Sequence, residues 1–311
     1  MKSLILGAAG FLGVNLVKKL CESDQELVLF DKDISNLQKV LTNKEKENCE
    51  IIQGDFTADV DYFELTKNID KVYHLISTTI PNNSNNHIAQ GIIDNVVISA
   101  LLLDACVKNK VKKIIFLSSG GTVYGVEKNS PFSEETATNP ISAYGLQKIT
   151  IEKLLYLYHY MHGLDYSIVR LANPYGRYQR PNGIQGVVTT FIYNELLGEP
   201  ITVYGDGSVV RDFIYIDDAI KAICNISNYS GELHVFNVGT GIGYSINQVI
   251  EAISNELGKK VYVEYKNGRA VDVPVNILDI SRYKNTFGTM NITSLKSGIR
   301  STIEFMKNSY A

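Results

Sequence analysis

The first half of the chain alternates short runs that are apolar throughout with longer amphipathic stretches. The apolar runs predict strands at Ser3 to Leu6, Leu27 to Phe30, Cys49 to Gln53, Lys71 to Ile76, Lys113 to Ser118 and Ser167 to Leu171. The amphipathic stretches predict helices at Phe11 to Cys21, Ile88 to Asn109 and Ser142 to Gly163. Strands without polar alternation, separated by helices, imply a parallel sheet covered on both faces, an α/β doubly wound architecture. After Asn173 the pattern loosens, broken by Pro174, Gly176, Pro181, Gly183, Gly186, Gly198, Pro200, Gly205 and Gly207. Arg211 to Ile216 and Val235 to Val238 read as strands that could return to the main sheet, with a helix at Asp217 to Ile226 between them. Ser245 caps a helix to Leu257, and the stretch from Val261 to Ala311 holds a strand and one or two helices. The two parts are expected to interleave: 1–170 plus about 212–240 in the larger, about 171–211 plus 241–311 in a smaller one.

Composition narrows the functional classes. With 311 residues the chain suffices for one large α/β domain and a smaller companion. A net charge of -3 gives no reason to expect nucleic acid or an anionic membrane as partner. No apolar run is expected to span a bilayer, and Met1 to Gly7 reads as a strand entering a glycine turn, not a signal peptide. Cys21, Cys49, Cys106 and Cys224 are scattered without a CxxC pair, which suits reduced packing cysteines in a cytoplasmic protein. The five histidines form no ligand cluster, so no metal is assigned.

Between the first strand and the first helix lies Gly7-Ala8-Ala9-Gly10-Phe11-Leu12-Gly13. Glycines there let the backbone turn tightly and approach a pyrophosphate, while the helix N-terminus offers N–H donors and positive dipole charge. Asp31, at the end of the second strand, can bond both ribose hydroxyls of NAD and would repel the extra phosphate of NADP. Lys32 beside it could tolerate that phosphate, so NAD is preferred and NADP stays open. Asp55 follows the third strand and could reach an adenine, or simply form a turn. A second cluster, Gly239-Thr240-Gly241-Ile242-Gly243, also lies between a strand and a helix, with Glu264 beyond it. No fresh series of βα units follows, so it reads as a turn into the helix capped by Ser245.

Tyr144 and Lys148 stand one helical turn apart on one face. A free phenol, with a pKa near ~10, is a poor base at neutral pH; a nearby ammonium would lower that value. Such a tyrosine can take a proton from an alcohol while a hydride leaves the same carbon.

Six motifs then occur in order: Gly7 to Gly13, His74-Leu75-Ile76-Ser77, Ser118 to Gly125, Tyr144 with Lys148, Asn173-Pro174-Tyr175-Gly176, and Arg211 to Asp218. Together they resemble the extended short-chain dehydrogenase/reductases that act on nucleotide sugars, closest to the UDP-hexose 4-epimerases. The resemblance implies a Rossmann domain holding NAD and an interleaved C-terminal substrate domain. It implies Tyr144 as acid/base with Lys148 as partner, and a cofactor environment including Phe56, Leu75, Ile76, Ser77, Asn95, Ser118 and Pro174. Asn173, Arg211, Arg269 and Asp272 would hold the sugar nucleotide and Tyr204 the nucleobase. Asn276 would set room for an N-acetyl group. The family's serine or threonine is replaced here by Gly120. Thr122 is the preferred substitute hydroxyl and Ser119 the alternative. The dehydratase triplet Thr-Asp-Glu is absent, which argues for epimerisation or ketone reduction.

The implied reaction is epimerisation at carbon 4 of a nucleotide-diphosphate hexose, probed by sugar interconversion without added reductant. The rivals are a 4-ketoreductase, which would need NAD(P)H, and a non-catalytic dinucleotide sensor. A homodimer through the Ile88–Asn109 and Ser142–Gly163 helices is what the family suggests, while the sugar and nucleotide stay open.

Overall fold

The structure, a computed structural model, describes residues 1–23, 25–81, 84–126, 130–181, 186–268 and 273–310. At its centre is a seven-stranded sheet of β1 (Lys2–Leu6), β2 (Glu26–Asp31), β3 (Cys49–Gln53), β4 (Lys71–His74), β5 (Lys113–Ser119), β6 (Asp165–Leu171) and β7 (Val235–Val238). Their spatial order is β7-β6-β5-β4-β1-β2-β3 and every pairing is parallel. This is the Rossmann arrangement, and the order reverses between β1 and β4. Ligands of such sheets bind in the crevice beyond the carboxyl ends at that switch point.

The strands are apolar throughout because the pleat sends alternate residues to two cores. Ile5, Leu29 and Ile115 point into the core shared with helices Phe11–Leu20 and Ile216–Ser227. Leu4, Leu6, Phe30 and Phe116 point into the other, against helices Ile98–Lys108 and Ala143–His162. The latter helix is set by its ends. The Ser142 side chain accepts from the Gly145 N–H, and Gly163 takes the left-handed φ of +70° that stops it.

Three expectations need correction. The single helix foreseen from Ile88 to Asn109 is interrupted: Ile88–Gly91 passes through a wide π-turn at Ile92–Val97 into Ile98–Lys108. Asn95 lies buried inside the wide turn, bonded to Thr78 and to the Gly91 carbonyl. The same stretch, taken as Ile88–Lys108, is long and apolar enough to cross a membrane by length and composition, contrary to the sequence reading. Half of its most apolar window is buried inside the fold. Finally, of the two later strands, Val235–Val238 joins the main sheet, but Val210–Tyr215 does not. It pairs with Asn173–Tyr175, Gly243–Ser245 and Val275–Asn276 in a second sheet.

The broken region after Asn173 also holds an unforeseen helix, Val187–Leu197. Gly186 and Gly198 flank it, both with positive φ, so these glycines bound a helix instead of marking a loop. Strand Ile201–Tyr204 follows and pairs in parallel with Val263–Lys266.

Candidate active site

A cavity of about 770 Å³ opens over the carboxyl ends of the central strands and runs out between the second sheet and helix Val187–Leu197. That volume lies toward the upper end of the range for small-molecule sites. Its inner end is the glycine turn: Gly7, Gly10, Phe11, Leu12 and Gly13 all line it. The N–H groups of Gly7 and Ala8 bond to the Phe30 carbonyl, that of Ala9 to the Asp31 carboxylate at 2.9 Å, and that of Gly10 to the Gly7 carbonyl. Helix Phe11–Leu20 then begins without a side-chain cap, so its first-turn N–H groups have no intrahelical acceptor and stand at the cavity. A Cβ on Gly13 would lie 2.1 Å from the Gly7 carbonyl oxygen, so only glycine lets helix and strand approach this closely. An uncapped helix start in a cleft, with no Cβ to crowd it, fits a dinucleotide pyrophosphate.

The reactive centre is built by one face of helix Ala143–His162. Tyr144 and Lys148 line the cavity with Ser118, Ser119 and Thr122. The Ser119 hydroxyl, beside Tyr144 on the cavity wall, acts on the phenol in the sense that favours the phenolate, but burial dominates and pushes the phenol up to about 12. This corrects the expectation that Lys148 would lower it. The Lys148 Nζ lies 5.5 Å from the Tyr144 ring centroid, donates to the Leu117 carbonyl at 2.9 Å, and sits 4.8 Å over the Phe116 ring. Burial lowers Lys148 to about 8, and the Glu152 carboxylate acts in the opposite sense. Ser119, the alternative hydroxyl, is the one that acts on the phenol. Thr122, the preferred one, has a buried Oγ1 without a partner. A Cβ at Gly120 would meet the Leu278 Cδ1 at 2.5 Å and the Arg170 carbonyl oxygen at 3.1 Å, so a larger residue there would need the Leu278 side chain to turn away.

Glu152 was missed by the sequence reading. It accepts from Ser118 and forms a buried fork with Arg170, with Nη2 to Oε2 at 2.7 Å. Its signal was available: 144, 148 and 152 fall at successive i+4 positions on one helical face. Gln147 and Thr79 were also missed. The Thr79 hydroxyl, on the loop after β4, donates to Gln147 at 2.7 Å, and Thr79 lines the cavity.

Other expected residues divide clearly. Leu75, Ser77, Asn173, Pro174, Tyr204 and Arg211 line the cavity. Asn173 donates to the Asp212 carbonyl, and Arg211 to the carbonyls of Val210 and Val273. Asn95 is off the cavity wall and buried. Its amide receives the Thr78 N–H and donates to the Thr78 hydroxyl and the Gly91 carbonyl, so it fixes the loop carrying Ser77 and Thr79. The Phe56 ring is in the core against Tyr62 and His74, which leaves only its backbone for a ligand. Ile76 backs the glycine turn, with its Cγ1 3.2 Å from a Cβ built on Gly7. Lys32 and Asp55 are exposed, and Asp55 accepts from the adjacent Phe56 N–H. Asn276 is buried away from the wall, donates to the Gly120 carbonyl, and keeps an unpartnered Oδ1. Arg269 and Asp272 lie outside the described residues.

The NAD dependent epimerase/dehydratase family matches this sequence over residues 3–239. The chain belongs to that family. This member is 32% identical over 307 residues, 98% of each chain, to a putative UDP-glucose 4-epimerase of Methanocaldococcus jannaschii. It is 31% identical over 317 residues, 98% of this chain and 97% of the other, to a dTDP-4-dehydro-6-deoxyglucose reductase of Escherichia coli. Among solved structures it resembles a UDP-glucose 4-epimerase of Thermotoga maritima, crystallised with UDP-glucose, at a TM-score of 0.93 and 32% identity over the whole of both chains. The glycine turn and Tyr144–Lys148 both fall inside the span matched by this epimerase/dehydratase family.

Proposed function

We propose that this protein epimerises a UDP-linked hexose at carbon 4 through a transient 4-keto sugar, with NAD as a retained cofactor. One observation carries the reading: a single cavity joins an uncapped glycine turn, a Tyr144–Ser119 hydroxyl pair with Lys148 behind it, and a far end lined by Asn173, Tyr204 and Arg211. When bound, NAD supplies the acceptor and donor of the carbon 4 hydride and a positive ring that favours the phenolate. Tyr144 takes the proton of the sugar hydroxyl and later gives it back. Ser119 holds the phenolic oxygen and shares that proton, which suits it better than Thr122 to replace the hydroxyl lost at Gly120. Lys148, whose ammonium the Glu152 carboxylate favours against burial, stands behind Tyr144 as the partner that would hold the nicotinamide ribose. Asn173, Arg211 and Arg269 anchor the sugar nucleotide while the keto sugar turns, so that remote binding energy holds the intermediate through both halves of the reaction.

Residues 1–170 with the part of about 212–240 that returns to the main sheet, helix Ile216–Ser227 and strand Val235–Val238, would hold the dinucleotide; about 171–211 with 241–311, joined in the second sheet by strand Val210–Tyr215, would hold the sugar nucleotide. Ile93, Val97, Leu101, Leu157, Tyr160 and Met161 leave the two long helices with exposed apolar faces, which suits a homodimer packed through them. All four cysteines are free thiols, in keeping with the cytoplasm.

Incubation with UDP-glucose or UDP-galactose, without reductant, tests the reading. Interconversion supports it. A strict requirement for NAD(P)H and a 4-keto substrate would replace it with the reductase alternative, the activity named for the Escherichia coli relative. Tyr144→Phe should lower turnover at least ~100-fold while dinucleotide affinity holds, as expected on losing a positioned acid/base. Unchanged turnover would remove Tyr144 from the mechanism.

A further inference from the structure

Outside the cavity, the carboxyl end of helix Phe11–Leu20 meets the start of β3. There Cys21, the residue that closes the helix, faces Cys49, the first residue of the strand, with their sulfurs 3.8 Å apart. Both are half-buried, unlike the fully buried Cys106. The Glu45 carbonyl lies 3.0 Å from the Cys49 sulfur and 3.8 Å from that of Cys21, so it bridges the pair. Lys18, one turn back on the helix, reaches the Glu45 carboxylate at 3.1 Å and brings a cation to the same corner. A hydrogen bond from Cys21 holds the Cys49 thiol below its ordinary range, and the same contact, with burial, pushes Cys21 up. One thiol of lowered pKa beside a second that can resolve it, neither residue fully buried, is the arrangement of an exchangeable dithiol.

We propose that Cys21 and Cys49 form a reversible disulfide by exchange with a low-molecular-weight disulfide of the glutathione class. The Cys49 thiolate attacks one sulfur of the small disulfide. Its S–S bond breaks, and the departing thiolate takes up the proton that Cys49 released. Cys21, deprotonated in turn, attacks the Cys49 sulfur. The mixed disulfide breaks and the second small thiol leaves with the Cys21 proton. Two protein thiols are oxidised and one small disulfide is reduced to two thiols, with nothing else consumed. The new bond would tie the end of the first helix, whose other end is the glycine turn, to the outermost strand of the sheet.

The intact protein is exposed to oxidised glutathione and mapped without reduction. A Cys21–Cys49 linked peptide is expected, with loss of two hydrogens from the protein mass. Closing a loop across 28 positions should raise Tm on the order of 5 °C, reversed by dithiothreitol. In Cys21→Ser and Cys49→Ser no linked peptide should form, and the remaining partner should stop at a glutathione adduct. The proposal is overturned if wild type itself stops at a stable adduct, or if the bond joins Cys106 or Cys224 instead. It is equally overturned if wild type stays unmodified at an oxidant level that labels the single-cysteine variants.

Discussion

Two glycine turns in this chain look alike on paper and do opposite things. Gly7 to Gly13 and Gly239 to Gly243 each follow a parallel strand of the same sheet and precede a helix. In the first, the donors nearest the strand are used by Phe30, Asp31 and Gly7, and the helix start beyond them has no capping side chain. In the second, the fold supplies its own anion. Asp212, fully buried, accepts from the Thr240 N–H at 2.9 Å, the Thr240 hydroxyl at 2.7 Å and the Gly241 N–H at 3.0 Å. Ser245 and Gln248 then cap the following helix reciprocally. A glycine turn is open to a phosphate only when the protein leaves its donors unspent, and no count of glycines reports that.

The largest effect should come from filling the open turn. In Gly13→Ala the new methyl would lie 2.1 Å from the Gly7 carbonyl oxygen and 2.7 Å from the Ala8 backbone. Neither can yield without moving β1 from its helix. A loss of about 3 kcal/mol or more and abolished dinucleotide binding are expected, read by thermal melts and dinucleotide titration. Normal affinity in this variant would show that the close approach is not what the turn is for.

Opening the closed turn comes next. Asp212→Ala strips the acceptor from the Thr240, Gly241 and Leu278 N–H groups and the Thr240 hydroxyl, which should cost about 3 kcal/mol in urea unfolding while dinucleotide affinity holds. Burial raises the Asp212 pKa above its ordinary value, against the opposing hydrogen bonds from Thr240 and Gly241. The folded state therefore keeps this proton more readily than the unfolded chain. That contribution is present below the unfolded value of 3.8 and is lost as pH rises through the raised folded value. Relative to Asp212→Asn, wild type should lose stability across that window, and an identical pH profile for the two would contradict it.

The sheet and most of the reactive centre were legible because they rest on local rules. Period-2 burial on both faces reads as continuous apolar runs, and i+4 spacing puts Tyr144 and Lys148 together. What escaped the sequence depends on long-range contact. Asp212 finds its donors 28 and 29 residues away, and Val210–Tyr215 chooses a second sheet although its apolar pattern matches the first. Asn95 sits in a helix by spacing, yet it lies in a π-turn, bonded to Thr78 and off the cavity wall. The expected lowering of the Tyr144 pKa failed because spacing shows a nearby cation and not the burial that raises the phenol.

The smallest effect is the sharpest test of the contrast. Ser245→Ala removes a working cap and should cost about 1 kcal/mol with no change in dinucleotide affinity. Gly10→Ser attempts the reverse by giving the open turn a cap of its own. Gly10 has φ -71° and extended ψ, a backbone any residue adopts, and its Cβ would stand a tight but tolerable 3.3 Å from the Gly7 carbonyl oxygen. A serine hydroxyl there can accept from the first-turn N–H groups, so folding stability should hold or rise by a few tenths of a kcal/mol. Dinucleotide affinity should nonetheless fall more than ~10-fold, the ratio that 1.4 kcal/mol of lost binding produces, because the donors are now occupied. If the variant folded as well as wild type and still bound dinucleotide fully, the uncapped helix start would not be the phosphate site, and the two turns would differ in shape alone.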